Sequence, residues 1–455
     1  MFQTLEKQVG ERLILPNHES FDEGRKVWNS AIDRIPGVIV RCETEEDVKA
    51  GVAFAHENNL TVSVKAGGHH LGGLAVGDQS VLIDLSTMNK VTIDAETKVA
   101  YVQGGATLKD VDNETQKYGL ATPTGTVSET GIAGLTLNGG LGYLRGKYGL
   151  TCDNLVGAKV VTASGELIEV NEASHPDLFW ALRGGGGNFG VVTEFVYQLH
   201  EVGPEVLALD VMYDYKDAKD VIKKAQAYMN DAPDEVSINI TMTTLPPAPF
   251  IPEFLHMKKV IMLTGMFAGT PSIGEEVIKP LRELAEPIVD GTGIMPYTQL
   301  QSKLDVMVPE HVPVHGTSLY FKGLTDDIID TLLTKIDQAP APSILVQLWS
   351  LHGKMNRVAS NATPYAIRDA NFVLLTDIMA MDVELDLCKQ WADSVYGSLL
   401  PSSHHEASYL NGITPNEKVV KAAFRGNYER LVNVKNMYDP KNVFCHNPNV
   451  VPGEK

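Results

Sequence analysis

The sequence predicts an α+β protein, with a glycine-rich first domain and a second domain in which helices alternate with strands. Three observations carry this. At 455 residues the chain exceeds what one hydrophobic core fills, so two or three domains are expected. Helix-type and strand-type periodicities alternate throughout, with no internal repeat or low-complexity tail. Glycine clusters crowd the stretch from Gly67 to Gly190 and cease after about Gly203. The expected boundaries are 1–200 for the first domain, 201–400 for the second and 401–455 for a closing segment.

The elements follow in order. "ETEEDVKAGVAFAHENN" reads as a helix with Thr44 as N-cap and Asp47 three residues on, the spacing of a capping box. It lies between two β-type runs, "GVIVRC" and "LTVSVKA", which makes a βαβ unit. "SVLIDLSTM" and "KVAYVQGG" follow as strands, then a short helix in "TLKDVDNETQKYG" capped by Thr107 with Asp110. "NLVGAKVVTASGELIEV" is a strand pair around Ser164-Gly165, and "HPDLFWALRGGGGNFGVVTEF" couples helix, glycine turn and strand. Beyond Gly203, "DAKDVIKKAQAYM" and "SIGEEVIKPLRELAE" read as helices among the strands "VSINITMTT" and "KVIMLTGMFAG". The proline-rich "LPPAPFIPEF" reads as a surface loop or lid.

Composition narrows the partners. Apolar residues make up 44% and charged residues 21%, as in soluble globular proteins. The net charge of −19 repels phosphate backbones and anionic lipid, which argues against nucleic-acid and membrane partners. Cys42, Cys152, Cys388 and Cys445 are widely spaced and form no CxxC pair, so neither a disulfide framework nor a zinc site is expected. The opening "MFQTLEKQVGERLILP" lacks the apolar core of a secretory signal, and no apolar run reaches transmembrane length. A cytoplasmic protein is expected.

Chemistry concentrates in the glycine clusters. "RGGGGNFG" contains a literal GxGxxG at Gly185, Gly187 and Gly190, but a helix precedes it and a strand follows. The dinucleotide fingerprint needs the opposite order, so the Rossmann reading fails. "GGHHLGG", "TGIAGLTLNGGLG" and "GGGGNFG" together can line one extended phosphate-containing ligand with main-chain donors. His69 and His70 stand in the first cluster. Neighbours on an extended segment point to opposite sides and cannot share a metal without a turn between them, so no metal is expected here.

"KAGGHHLGGL", "TPTGTVSETGIAGLTLNGGLGYLRGKYGLTCDNL" and "HPDLFWALRGGGGNFGVVTEF" resemble the FAD-binding domain of the vanillyl-alcohol oxidase/p-cresol methylhydroxylase superfamily, within its berberine-bridge-enzyme-like branch. "YERLVNVKNMYDPKNVFCHNPNV" is similar to that branch's closing segment. The resemblance runs from about Phe21 to Val450. It implies a two-lobed FAD-binding domain of the PCMH type, a substrate domain whose large antiparallel sheet roofs the flavin, and a tail that returns to the first domain. It also implies cofactor contacts from Lys65, Ala66, Gly67, Gly68, His70 and Gly72, and a covalent bond from His69 to the flavin 8α carbon. In the second cluster it implies contacts from Thr126, Val127, Thr130, Gly131, Gly134, Leu135, Gly139, Gly140 and Gly142. Val192 follows the third cluster, and Asn447 and Asn449 match tail residues on the flavin side.

Departures refine the expectation. Val127 stands where many members carry a cysteine that forms a second covalent link, so a single histidyl link is implied. Leu135 replaces a histidine that some members place beside the flavin, and Cys445 or His446 replaces an arginine in the tail. Thr130 matches the position thought to govern oxygen access, which favours O2 as acceptor. "SYLNG" matches a Y-x-N motif and makes Tyr409 and Asn411 the candidates for taking the substrate's proton, although Gly412 stands where an aromatic is usual. Tyr320 in "SLYFKG" and Gln347 in "VQLWSLHGK" are further site candidates, since alternate strand residues face one side; Lys322, His352 and Lys354 lie in the same stretches. The implied activity is hydride removal from a CH–OH or CH–N carbon of a small molecule, yielding hydrogen peroxide. A flavin dehydrogenase with another acceptor, or a degenerate non-catalytic homologue, remains the alternative.

Overall fold

A computed structural model describes residues 2–249, 251–381 and 383–453. The N-terminal βαβ unit forms where the sequence predicts it. Strands Val38–Arg41 and Val62–Lys65 both pair in parallel with Val81–Asp84, and Leu13–Ile14 adds an antiparallel edge to this four-stranded sheet. Helix Glu45–Glu57 begins at a complete capping box: the Thr44 side chain accepts from the Asp47 amide, and the Asp47 carboxylate accepts from the Thr44 amide. Thr107 and Asp110 repeat the device at helix Leu108–Gln116. Such caps contribute about 1 kcal/mol each.

A second, five-stranded antiparallel sheet runs Val91–Asp94, Val99–Gln103, Val191–Gln198, Leu155–Val161, Leu167–Val170. Its core includes Val160, Phe195 and Tyr197, and it is completed by Leu410, Phe424, Leu431 and Val450 from the C-terminal segment. The alternation from Thr193 to Gln198, buried at odd positions with partly exposed residues between, is the signature of a sheet covered unequally on its faces.

The third sheet has eight strands, all antiparallel. Its path is Pro287–Asp290, Glu205–Asp214, Lys259–Phe267, Val236–Thr244, Ile344–Ser350, Phe372–Met379, Val314–Phe321, with Gly293–Pro296 pairing beside Glu205–Asp214. Helices Ala218–Met229, Pro271–Arg282, Asp326–Asp337 and Leu385–Leu399 cover one face and bury Val221, Ile278, Leu332 and Trp391 against it. In strand Ile344–Ser350 the residues Ile344, Val346 and Leu348 join that core. Leu345, Gln347 and Trp349 therefore point to the opposite face, which roofs a cavity.

The loop "LPPAPFIPEF" does connect two strands of this sheet, with Phe250 outside the described residues. All four cysteines are free thiols; Cys42, Cys152 and Cys388 are buried. No helix among the described residues is long and apolar enough to cross a membrane.

Candidate active site

The cavity, about 320 Å³, lies between the glycine turns below and the eight-stranded sheet above. Its floor is the turn after strand Val62–Lys65 together with residues 125–141, where helix Ile132–Leu137 begins. These two glycine segments touch backbone to backbone. A Cβ added to Gly67 would sit 2.4 Å from the Gly131 nitrogen, and one on Gly131 would sit 2.5 Å from the Gly67 nitrogen. No side chain fits in that contact, which explains both glycines.

The main-chain N–H groups of Gly67, Gly68, His69, His70 and Leu71 find no acceptor among the described residues. A run of free amides in a turn is a cradle for an anionic group. Gly134, on the exposed face of its helix, and Gly187 each have nothing within 4 Å of a Cβ position. A flat ligand has room there. At the same end of the cavity the Oδ1 atoms of Asn138 and Asn447 are buried without partners. Their amide nitrogens are occupied: Asn138 donates to the Gly134 carbonyl, and Asn447 to Gly187 and Phe444. Two unpaired acceptors in one region call for a ligand with hydroxyl or N–H donors.

His69 reaches the cavity wall, with its ring stacked on Trp28. Burial lowers its pKa to about 4, and the carboxylate of Asp305 acts weakly in the opposite direction. His70 does a different job. Its Nε2 pairs with the Leu410 carbonyl at 2.9 Å and its Nδ1 accepts from the Gly72 amide, so it ties the turn to the C-terminal segment. Asp305 also clamps the second glycine segment, accepting from the Ser128 amide at 2.8 Å and from its hydroxyl. Gln301 adds bonds to Thr124 and to the Gly125 carbonyl. The 301–305 stretch thus fixes the loop that carries Thr126, Val127 and Thr130, all three on the cavity wall.

The roof supplies Gln347, Trp349, Leu375 and Asp377, and the C-terminal segment supplies Tyr409 and Asn411. The Tyr409 hydroxyl accepts from Asn411 Nδ2 at 3.0 Å and from the Leu141 amide at 3.3 Å. Burial raises its pKa to about 12, and those two donors partly offset the rise. Asp377 is absent from the sequence reading. It opens on the cavity with no partner for Oδ1, and desolvation pushes its carboxyl up to about 7. A lone aspartate in the apolar strand "FVLLTDIM" is the signal that could have found it.

Ala66, Gly67, Gly68, His69, His70, Thr126, Val127, Thr130, Gly131, Gly134, Leu135, Gln347, Tyr409, Asn411 and Asn447 line the cavity. Tyr320 does not. It is buried and its hydroxyl pairs with that of Tyr365 at 2.7 Å, away from the cavity wall. Lys65 turns aside to the Gly24 carbonyl, with Asp84 at 3.7 Å. Gly72 faces Thr414. Gly139 and Gly140 hold positive φ in a turn packed on Tyr365 and Thr151, and Gly142 abuts the Thr124 carbonyl. Val192 is in the five-stranded core and Asn449 is off the wall. Lys322, His352 and Lys354 also lie outside it.

Residues 36–171 match the family model of an FAD binding domain, and residues 408–451 match that of berberine and berberine-like proteins. An FAD-linked oxidoreductase of Dictyostelium discoideum is 32% identical over 94% of this chain and 91% of its own. The (R)-6-hydroxynicotine oxidase of Paenarthrobacter nicotinovorans is 31% identical over 97% of this chain and 96% of its own. The solved structure of BBE-like 1 from Physcomitrella patens superposes with a TM-score of 0.88, at 20% identity, covering all of both chains. The free amides of the first glycine turn, the open faces over Gly134 and Gly187, and the two unpaired asparagine oxygens fit FAD, with its pyrophosphate, flat ring system and hydroxyl-bearing chain. The chain belongs to the berberine-bridge-enzyme-like family of FAD-linked oxidoreductases, on the PCMH-type fold.

Proposed function

We propose that this protein is an oxidase that holds FAD through a single covalent bond from His69 and removes hydride from a CH–OH or CH–N carbon of a small molecule, with O2 as the acceptor. The observation that carries this reading is the placement of His69, whose ring lines the cavity in the turn of free amides and is held against Trp28. Burial lowers its pKa to about 4, which favours the neutral, nucleophilic ring. When bound, the flavin supplies the hydride acceptor, and its reoxidation by O2 gives hydrogen peroxide.

The chain's own groups supply the rest. Removing hydride from a CH–OH or CH–NH centre requires a base for the remaining proton. Asp377, poised near neutrality and open to the cavity, is suited to take it; Tyr409 is held by Asn411 and the Leu141 amide as a polar anchor for the reacting heteroatom. Trp28, Trp349, Leu304, Met307 and Val308 exclude water from the rest of the wall. No lysine or arginine lines the cavity among the described residues, so Asp377 supplies its one formal charge. A carboxylate in a cavity whose wall also carries two tryptophans suits a cationic amine, which favours the CH–N form of the reaction. The relation to (R)-6-hydroxynicotine oxidase supports the same arm.

The test is acid denaturation of the purified flavoprotein with intact-mass measurement, followed by peroxide assays on amine and alcohol panels. Flavin retained on the denatured chain, a mass gain of one FAD, and loss of both in His69→Ala are expected. Flavin released quantitatively on denaturation overturns the covalent bond. Reduced enzyme that dyes reoxidise and O2 does not overturns the oxidase assignment.

A further inference from the structure

We propose that Asp369, His404 and His405 form a binding site for one divalent transition-metal ion of the zinc type, on the outer side of the segment that leads to Tyr409. The argument that removed a metal from His69 and His70 is reversed here. His404 and His405 are also adjacent, but the chain turns between them: His405 and Glu406 take left-handed φ values of +61° and +51°. The two imidazoles consequently lie on one side, with centroids 3.8 Å apart.

Both rings aim the same atom at the same point. Asp369 Oδ2 lies 3.0 Å from His404 Nε2 and 3.3 Å from His405 Nε2, and all three atoms fall within 4.8 Å of one another. Bonds of about 2.0–2.1 Å in tetrahedral geometry place ligand atoms roughly 3.3 Å apart. Two of the three separations are close to that value before any adjustment. His404 Nε2 is buried, and its close polar neighbour, the Asp369 carboxylate at 3.0 Å, is not aligned as a hydrogen bond. A metal held between the three atoms would satisfy that nitrogen directly. Two histidines and one carboxylate are a ligand set for divalent transition metals, and the exposure of Asp369 and His405 leaves the remaining positions to water.

The surroundings bear on affinity in both directions. Arg425 lies 3.9 Å from Asp369 Oδ1. It holds the carboxylate with Oδ2 toward the imidazoles, while its charge opposes a cation. Glu406 is engaged by Lys418 at 3.4 Å. The site joins two segments that flank the catalytic cavity. Asp369 follows Arg368, which is paired with buried Asp153 and bonded to the Tyr365 carbonyl. The His404 amide donates to the Tyr320 carbonyl, and the chain then reaches Tyr409, whose amide and carbonyl bond to Ser318 Oγ. A bound ion ties these segments together from outside.

The test uses the full-length, tag-free flavoprotein, stripped with EDTA and titrated with Zn2+, with bound metal measured after gel filtration and the melting temperature recorded. The variants are Asp369→Asn and His405→Asn; asparagine tolerates left-handed φ, so the turn is kept while the imidazole is removed. One Zn2+ per wild-type chain and a raised Tm are expected, with binding at least tenfold weaker in both variants at unchanged flavin content. Wild-type chain that retains no Zn2+, or variants that bind it as wild type does, overturn the site. The proposal does not depend on the flavin linkage.

Discussion

The imidazole of His69 lies face to face with the indole of Trp28, with ring centroids 4.9 Å apart and planes 14° from parallel. Trp28 itself is held by the same turn, its amide donating to the Gly68 carbonyl. The indole thus both buries the histidine and fixes its plane, which is what the proposed bond to a single flavin carbon requires. Trp28→Ala is expected to lower the fraction of flavin retained on the acid-denatured chain at least several-fold, while Trp28→Phe retains most of it. Flavin fluorescence of denatured protein, normalised to total flavin, reads the difference. Equal retention in Trp28→Ala would remove the indole from the account.

Tyr409 and Tyr320 separate a site tyrosine from a structural one. Both are buried, but Tyr409 reaches the cavity and Tyr320 pairs only with Tyr365. Tyr409→Phe is expected to lower kcat by about 10- to 100-fold, near the low end for loss of a positioned polar group. Tyr320→Phe is expected to leave kcat within about twofold and to cost about 1 kcal/mol of stability, the net worth of one neutral hydrogen bond. Steady-state kinetics beside thermal denaturation check both. A kcat loss in Tyr320→Phe as large as in Tyr409→Phe would put Tyr320 back among the site residues.

Asp305 holds the glycine loop at Ser128, 177 residues away in the chain, by two bonds. Removing the carboxylate leaves a part-buried amide and hydroxyl unanswered. Hydrogen bonds to charged groups are worth roughly 1.5–3 kcal/mol. Asp305→Ala should therefore lower Tm by several degrees and weaken flavin retention during unfolding, whereas Ser128→Ala, which spares the amide bond, should cost less. Differential scanning calorimetry of the two variants decides it; equal losses would show that the amide contact carries no weight.

The parts of the molecule legible in the sequence are those built by local patterns. Thr44 with Asp47, Thr107 with Asp110, and the strand–helix–strand run around them appear because caps and periodicity act over a few residues. Val127 and the glycine turns were legible through the resemblance, and their approach at Gly67 and Gly131 explains the glycines physically. Residues joined by distant pairing were not. Ser318, Leu375 and Gln347 become neighbours through strand register alone, and the same register carries Asp377 beside Gly316. Tyr320 lies off the cavity wall for the same reason: alternation predicts its face of the sheet, but its partner Tyr365 comes from a loop with no pattern to announce it. Trp28 precedes every recognisable motif and had no sequence signal.

Asp377 has the most direct consequence. Its carboxyl is pushed up to about 7 by desolvation, and it must be ionised to accept a proton. The kcat/KM profile is therefore expected to rise with pH through an apparent pKa near 7 and then level off. Asp377→Asn should flatten that limb and lower kcat/KM by about 10²- to 10⁴-fold. The linked stability effect has the opposite sign. A carboxyl whose folded pKa lies above its unfolded value of about 4 favours folding most when protonated, below that unfolded value, and this contribution is lost as pH rises through 7. Asp377→Asn should accordingly raise Tm at pH 8 relative to wild type, with a smaller effect at pH 5. The two readouts are independent: a flattened rate profile without the Tm shift would mean that the cavity hydrates the carboxylate, and a Tm shift with an unchanged rate profile would show that another group takes the proton.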